Sequence, residues 1–361
     1  MDTATKIRTV EEMSEEILTR EELARLFDTK PHPVAYDGFE PSGRIHIAQG
    51  ILRAINVNQL AKTGIRFKMF VADWHAWANN KLGGNLDNIR LTGEYFIETW
   101  KQSGMDLDHV EFVWANDLLQ ERAYWKTVMQ IARQSTLQRV LRTTQIMGRN
   151  EKDHLYASQI FYPCMQAADI FELEADICQL GMDQRKVNVL AREIAEKLQK
   201  PKPVAVHHHM LQGLGQPPAT SDAEERALAL KMGKSNPDTA IFMTDSEDEI
   251  RRKINKAYCP EKIVHENPIL AYNRHIVFRH PAFQKGISID RAEKFGGNVS
   301  YASYDELEAD FAGGKLHPAD LKKSTAENLD TLIAPVREHF EKNAHARELA
   351  HQVQSFGTTK G

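Results

Sequence analysis

His46, Lys231 and Lys234 are the side chains in this sequence best suited to act together on a phosphate. His46 ends the stretch Tyr36-Asp37-Gly38-Phe39-Glu40-Pro41-Ser42-Gly43-Arg44-Ile45-His46. This reads as a strand from Val34, a turn set by Gly38, Pro41 and Gly43, and a helix from His46 that buries Ile47, Leu52, Ile55 and Leu60. A helix start offers unpaired N–H groups and the positive end of the helix dipole, which favour an anion. Lys231 and Lys234 lie in Lys231-Met232-Gly233-Lys234-Ser235, between a Gly/Pro/Ser-rich run at 212–222 and Asn236-Pro237, and so on a loop. Two ammonium groups at that spacing can close over charge building on a departing phosphate group. Singly, such a histidine is more often a cap and such a lysine pair a solvated patch. On one α/β background the combination points to a nucleotide site. Neither G-x-x-x-x-G-K-[ST] nor G-x-G-x-x-G occurs, so the phosphates must be held in this other way.

The elements that must position these groups alternate. Strand-like runs at Val34–Tyr36, Phe67–Ala72, Val110–Trp114, Ala175–Cys178 and Val204–His208 are separated by helical patterns such as Leu86–Gln102 and Asp183–Leu198. That order predicts βαβ units and a parallel sheet, with ligands beyond the carboxyl ends of the strands. Tyr36 and Asp37 in the first strand, Asp73 and His75 after the second, and Gly181 to Gln184 after the fourth fall there. From about residue 246 the pattern turns helical, with capping pairs Ser246/Glu249 and Ser303/Glu306 and turns at Pro268, Gly296-Gly297 and Gly313-Gly314. The expected division is an N-terminal helical extension (1–33), an α/β domain (34–245) and a helical domain (246–361), the tail from Phe356 being disordered.

Two further patterns stand out. If Tyr162-Pro163-Cys164-Met165-Gln166-Ala167-Ala168-Asp169 is helical, Tyr162, Gln166 and Asp169 share one face. The apolar neighbours Ile160, Phe161, Met165, Ile170 and Phe171 leave little room for a solvated face, so this polar stripe is expected to line a cavity. The segment 122–150 carries Arg122, Lys126, Arg133, Arg139, Arg142 and Arg149 without an acid. One straight helix would place these cations on opposite faces, so a break near Gln134-Ser135-Thr136 is expected. An acid-free basic strip suits a nucleic-acid backbone or, more simply, a solvated face.

His46-Ile47-Ala48-Gln49 together with Lys231 to Ser235 resembles the HIGH and KMSKS motifs of class I aminoacyl-tRNA synthetases. With Ala72-Asp73-Trp74-His75-Ala76, Tyr162 to Asp169, Gly181-Met182-Asp183-Gln184-Arg185-Lys186, Lys294-Phe295-Gly296-Gly297 and Leu316-His317-Pro318-Ala319-Asp320, the chain is similar along nearly its whole length to tyrosyl-tRNA synthetases of the archaeal and eukaryotic cytosolic type, in a plant- and protist-like branch. Gln49 departs from the second histidine of the first motif and Gly233 from the central serine of the second. The resemblance implies a Rossmann-like catalytic domain followed by a helical anticodon-binding domain. It implies phosphate chemistry at His46, Gln49, Lys231, Lys234 and Ser235, and ATP contacts from Gly38, Glu40, Gly181 and Asp183 as well. It implies tyrosine binding by Tyr36, Ala72, His75, Tyr162, Gln166, Asp169 and Gln184, with Tyr36 and Asp169 on the phenol. Arg142, Arg185 and Lys186 would meet the acceptor stem of tRNA(Tyr), and Phe295, His317 and Asp320 the anticodon. Mg²⁺ would travel with ATP, with no metal site of the protein's own.

The bulk composition agrees with that reading. At 361 residues the chain exceeds the roughly 250–300 at which one core stops growing, and 42% apolar residues suffice to pack two. A net charge of −4 leaves the choice of partners to local patches. Three cysteines without paired spacing suggest a reducing, cytoplasmic setting, and no apolar run reaches the about 18 residues of a membrane span. A homodimer is the expected assembly. The alternatives are a tryptophanyl-tRNA synthetase and a catalytically silent RNA-binding homologue. The run His207-His208-His209 fits either a nucleotide contact or strand packing.

Overall fold

The computed structural model describes residues 1–148, 154–220, 226, 229–234 and 236–356. Six strands, β1 (Glu16–Leu18), β2 (Val34–Phe39), β3 (Arg66–Val71), β4 (Val110–Trp114), β5 (Ile177–Cys178) and β6 (Val204–His207), form one sheet in the order β1-β6-β5-β2-β3-β4. β2 to β6 run parallel. β1 closes one edge antiparallel to β6, with Glu16 opposite His207 and Leu18 opposite Ala205. The N-terminal extension, expected to be helical throughout, therefore contributes a strand between its helices Thr3–Glu12 and Arg20–Thr29. Three residues, Glu-Ile-Leu, are too short a run to signal a strand; it exists because β6 offers an edge.

β2 is central, with Tyr36 registered against Lys68 of β3 and Cys178 of β5. The chain winds from β2 through β3 to β4 on one side, then returns to place β5 on the other. The switch point of the sheet is thus the crevice between β2 and β5, where parallel α/β sheets hold their ligands. The interiors of the parallel strands are apolar, as burial on both faces demands: consecutive Met69, Phe70 and Val71 of β3 and Val204, Ala205 and Val206 of β6 are enclosed.

One expected element starts late. The helix predicted from His46 begins at Ile51 and ends at Ala61. Ile47 N–H donates to the Ile241 carbonyl (2.9 Å) and Met243 N–H to that of Ile45 (3.0 Å), so residues 45–47 spend their backbone on strand-like pairing with 241–243. Gly50 then caps the helix. A Cβ there would lie 2.5 Å from Met243 Sδ, so any larger residue would have to displace that side chain. The expected break in the basic segment is present: one helix ends at Gln134 and the next, Leu137–Thr143, is capped by Thr136.

Beyond Thr244 come helices Glu247–Lys256, Pro268–His275, Tyr304–Ala312, Pro318–Lys342 and Ala344–Ser355, with a hairpin of β7 (Ile287–Ile289) and β8 (Val299–Tyr301). Ser246 and Ser303 cap as expected, accepting from Glu249 and Glu306 N–H. Pro268 opens a helix at its first position instead of making a turn; Asn267 caps that helix. Phe356 packs against the core, and the rest of the tail lies outside the described residues. Among the described residues no helix is long and apolar enough to cross a membrane.

Candidate active site

A cavity of about 470 Å³ opens at the β2/β5 switch point. Into it converge Tyr36, Gly38, Glu40, His46, Gln49, Ala72, His75, Tyr162, Gln166, Asp169, Gly181, Asp183, Gln184, Lys231 and Lys234, which sequence reasoning had scattered over some two hundred positions.

One end is a buried polar pocket. The helix Ala157–Glu172 begins where the Gln159 side chain accepts from Tyr156 N–H at 2.9 Å, and it turns Tyr162, Gln166 and Asp169 inward. Asp169 is 1% exposed, with Oδ1 accepting from the Tyr124 hydroxyl at 2.8 Å and Oδ2 lying 2.9 Å from His75 Nε2, a close charge contact without hydrogen-bond alignment. Burial opposes charge on His75, but the Asp169 carboxylate outweighs it and raises the imidazole pKa. Burial, reinforced by Asp169, holds the Tyr36 and Tyr124 phenols well above their ordinary value, so both stay protonated. Gln166 Nε2 donates to Gln184 Oε1 at 3.0 Å, whose own amide donates to the Ile146 carbonyl at 3.0 Å. Gln166 Oε1 is buried and finds no partner among the described residues.

Sequence reasoning missed Tyr124. Its only signal was a tyrosine in the basic helix Arg122–Gln134, whose inner face is otherwise Thr127, Val128 and Ile131.

The other end is set for an anion. Lys234 Nζ donates to Ser42 Oγ at 3.2 Å and to the Gly43 carbonyl at 3.5 Å. Its side chain is half-buried at the cavity mouth, yet crowding by protein, and then by Lys81, pulls its pKa down to about 7. His46 is 6% exposed, and its Nδ1 has no partner among the described residues. Burial and the two lysines press its pKa well below the usual value, leaving a neutral imidazole able to donate one hydrogen bond. Gln49 Oε1 is likewise unpartnered, while its carbonyl accepts from Trp100 Nε1 at 2.8 Å. Glu40 is held by Asn79 Nδ2 at 3.0 Å and by Lys81 at 3.6 Å.

Lys231 departs from the expected geometry. Its ammonium pairs with the Asp183 carboxylate; burial would raise the Asp183 pKa, but Lys231 lowers it below the ordinary value. The resemblance placed both side chains at the ATP site, and the structure joins them in an ion pair. At Gly181 the backbone approaches the Met210 and Asp183 side chains closely, and any Cβ would displace them. Ser235 and Arg149 lie outside the described residues.

The expected nucleic-acid contacts lie outside this cavity. Arg142 is exposed, its Nε donating to the Gln138 carbonyl at 3.4 Å. Arg185 is exposed but paired: both oxygens of Glu16 on β1 accept from its Nε, at 2.8 and 3.0 Å, and Lys186 pairs with Gln145. In the helical region, Arg291 gathers two distant segments by donating from Nε to the Gly297 carbonyl and from Nη1 to that of Lys315, each at 3.0 Å. This brings the loop bearing Phe295, 62% exposed, towards the start of the helix Pro318–Lys342. His317 caps that helix, and Asp320 stands in its first turn.

The histidine run divides. His207 is structural, Nδ1 donating to Glu16 Oε2 at 2.8 Å and Nε2 accepting from Asn188 Nδ2 at 2.9 Å. His208 lines the cavity, and His209, partly lining it, stacks on His275 with ring centroids 4.4 Å apart.

The family model for class I tRNA synthetases (W and Y) matches residues 28–334. A protein named tyrosine–tRNA ligase 1, cytoplasmic, of Arabidopsis thaliana is 49% identical, the alignment covering 98% of this chain and 89% of that one. A tyrosine–tRNA ligase of Thermococcus gammatolerans is 43% identical over 98% of this chain and 99% of its own. The crystal structure of a tyrosyl-tRNA synthetase complexed with L-tyrosine from Pyrococcus horikoshii superposes with a TM-score of 0.90 at 40% identity, over 97% of this chain and 100% of that one. These relatives are all of the tyrosine kind, which sets aside the tryptophanyl alternative. A family model spanning most of the chain, near-complete relatives at this identity and a parallel sheet with its cavity at the switch point lead to one assignment: the chain belongs to the class I tRNA synthetases of the tryptophan and tyrosine group, as one of the tyrosyl-tRNA synthetases.

Proposed function

We propose that this chain activates L-tyrosine with ATP and transfers it to the 3′ end of tRNA(Tyr), and that the two ends of the single cavity are its amino-acid and nucleotide subsites. The observation that carries this is the joining, in one cavity, of a buried carboxylate flanked by phenols to a mouth lined by two lysines and a neutral histidine. The substrate phenol donates to Asp169 and accepts from Tyr36; its ammonium meets Gln166 Oε1, with Tyr162 and Gln184 beside it. The tyrosine carboxylate attacks the α-phosphorus of ATP, forming the P–O bond of the adenylate as pyrophosphate leaves with the bridging electron pair. Lys234, His46 and, once released from Asp183, Lys231 receive the charge developing on that leaving group. Asp183 then faces the ribose. A terminal ribose hydroxyl of tRNA attacks the acyl carbon and AMP departs. No side-chain nucleophile is required, since positioning and electrostatics carry both steps.

Mg²⁺ enters as part of the Mg·ATP substrate, where the phosphates supply most of its ligands. The units are residues 1–33, 34–245 and 246–361, the protein works in the cytoplasm, and two copies form a dimer. Exposed Trp125, Met129 and Phe161, on two helices packed side by side, support that assembly. The decisive experiment is ATP–pyrophosphate exchange with purified protein. Tyrosine-dependent exchange is expected, and its absence with every amino acid would favour the silent RNA-binding reading.

Two consequences are directly measurable. Tyr124→Phe removes a hydrogen bond to Asp169 and should lower kcat/KM for tyrosine by about fivefold, the worth of one such bond; an unchanged value would remove Tyr124 from the site. Asp320→Ala should reduce charging of tRNA(Tyr) by about tenfold, in line with one lost base contact, and leave pyrophosphate exchange intact. Loss of exchange would place Asp320 in the fold's support and not at the anticodon.

A further inference from the structure

Arg53 is the one arginine, among the described residues, that is fully enclosed, at 1% exposure. Its Nη1 donates to Asp37 Oδ2 at 2.7 Å, and its guanidinium carbon lies 6.0 Å from the Phe67 ring centroid. Nε and Nη2 are buried and find no acceptor among the described residues. Enclosing a charged group with two idle donors is costly, far more so than leaving a neutral donor unmet. A leucine or methionine would pack there more cheaply, so the stem alone does not account for the residue.

The position shows what the donors face. Asp37 and Arg53 both line the cavity, and Asp37 Oδ2 is 4.0 Å from Nε2 of His208, which lines it too. His208 Nδ1 donates to the His209 carbonyl at 3.1 Å, so Nε2 carries a lone pair. His208 is bridged to Gly181, and Met182 N–H donates to the His208 carbonyl at 3.3 Å, so this group stands beside the ribose-facing Asp183, whose carboxylate acts electrostatically on both Asp37 and His208. Donors (Arg53) and acceptors (Asp37, His208) thus stand side by side at the nucleoside end. An adenine edge presents an amino donor next to a ring-nitrogen acceptor, and a ribose presents hydroxyls that do both.

We propose that Arg53, oriented by Asp37 and flanked by His208, is a positioning residue for the nucleoside half of ATP. The proposal rests on the ligase reading above, and wild-type exchange activity tests that reading separately. The experiment is exchange kinetics on Arg53→Leu, Arg53→Lys and Asp37→Asn in the full-length protein, each with its thermal midpoint. The expected result for Arg53→Leu is a KM for ATP raised about tenfold, the loss of one charged hydrogen bond, with KM for tyrosine unchanged and partial recovery in Arg53→Lys. Comparing ATP with ITP and with 2′-deoxy-ATP locates the contact: the variant loses its preference against ITP if the base is held, or against 2′-deoxy-ATP if the ribose is. A KM for ATP equal to wild type, or equal rises for ATP and tyrosine, would overturn the proposal and leave Arg53 a packing residue. Should Arg53→Leu fail to fold, Arg53→Lys and Asp37→Asn give the same two-substrate comparison.

Discussion

Replacing Lys234 by alanine is expected to slow tyrosine-dependent ATP–pyrophosphate exchange by about 10²–10³-fold, the scale on which a fixed donor to transition-state charge acts. Tyrosine binding, followed by equilibrium titration without ATP, should stay near wild type, because Lys234 contacts Ser42 and Gly43 and not the pocket around Asp169. Equal losses in rate and in tyrosine affinity would refute the assignment. The same ammonium gives a pH signature. Its folded pKa of about 7 lies below the unfolded value of about 10.4, so the unfolded chain binds more protons between those limits. Lys234 therefore penalises the folded state fully below pH 7 and progressively less as pH rises towards 10. Lys234→Met should flatten that part of the stability–pH curve of the free protein. ATP, by bringing phosphates to the lysine, should raise its pKa and shrink the effect.

Asp169→Ala should cost about 10²-fold in kcat/KM for tyrosine while leaving phenylalanine nearly unaffected, since only the phenol loses a buried acceptor. Tyrosyl-tRNA synthetases are the standing example of this asymmetry, in which a site built for a hydroxyl rejects the analogue that lacks it. The substitution also frees Tyr124 and His75, so some fall in stability is expected from two buried groups losing one partner. Asp169→Asn keeps the volume and an acceptor. It should recover stability more than selectivity, because it cannot supply the charge that draws His75 to its protonated form. Competition between the two amino acids in exchange assays reads the ratio directly; a ratio that does not move in either variant would take Asp169 out of specificity.

Much of this is legible in the sequence alone. The strands β3 and β6 announce themselves because parallel strands buried on both faces must be largely apolar, and β2 and the edge strand β4 through their β-branched and aromatic residues. The stripe Tyr162, Gln166, Asp169 is visible because helical periodicity places polar groups where no solvent can reach. What stayed hidden depends on partners distant in sequence. The late start of the helix at Ile51 follows from pairing of residues 45–47 with 241–243, and nothing near His46 encodes that. Tyr124 looks like core until Asp169 is seen against it. Lys231 reads as a free cation until Asp183 is found to hold it. Arg185 reads as an unpaired surface cation until β1 brings Glu16 to it. In each case the sequence specifies the side chain, while its partner depends on how the sheet orders its strands.

β1 also bears on how the protein behaves at its edge. Along β6, a row of backbone donors and acceptors would face outward if three residues of the amino-terminal segment did not cover it, and open strand edges are templates for pairing with other chains. The same short strand carries the carboxylate that neutralises Arg185 and anchors His207. Trimming the first thirty-odd residues would thus do more than shorten the protein: it would unmask an adhesive edge and strip Arg185 and His207 of their shared carboxylate in one event.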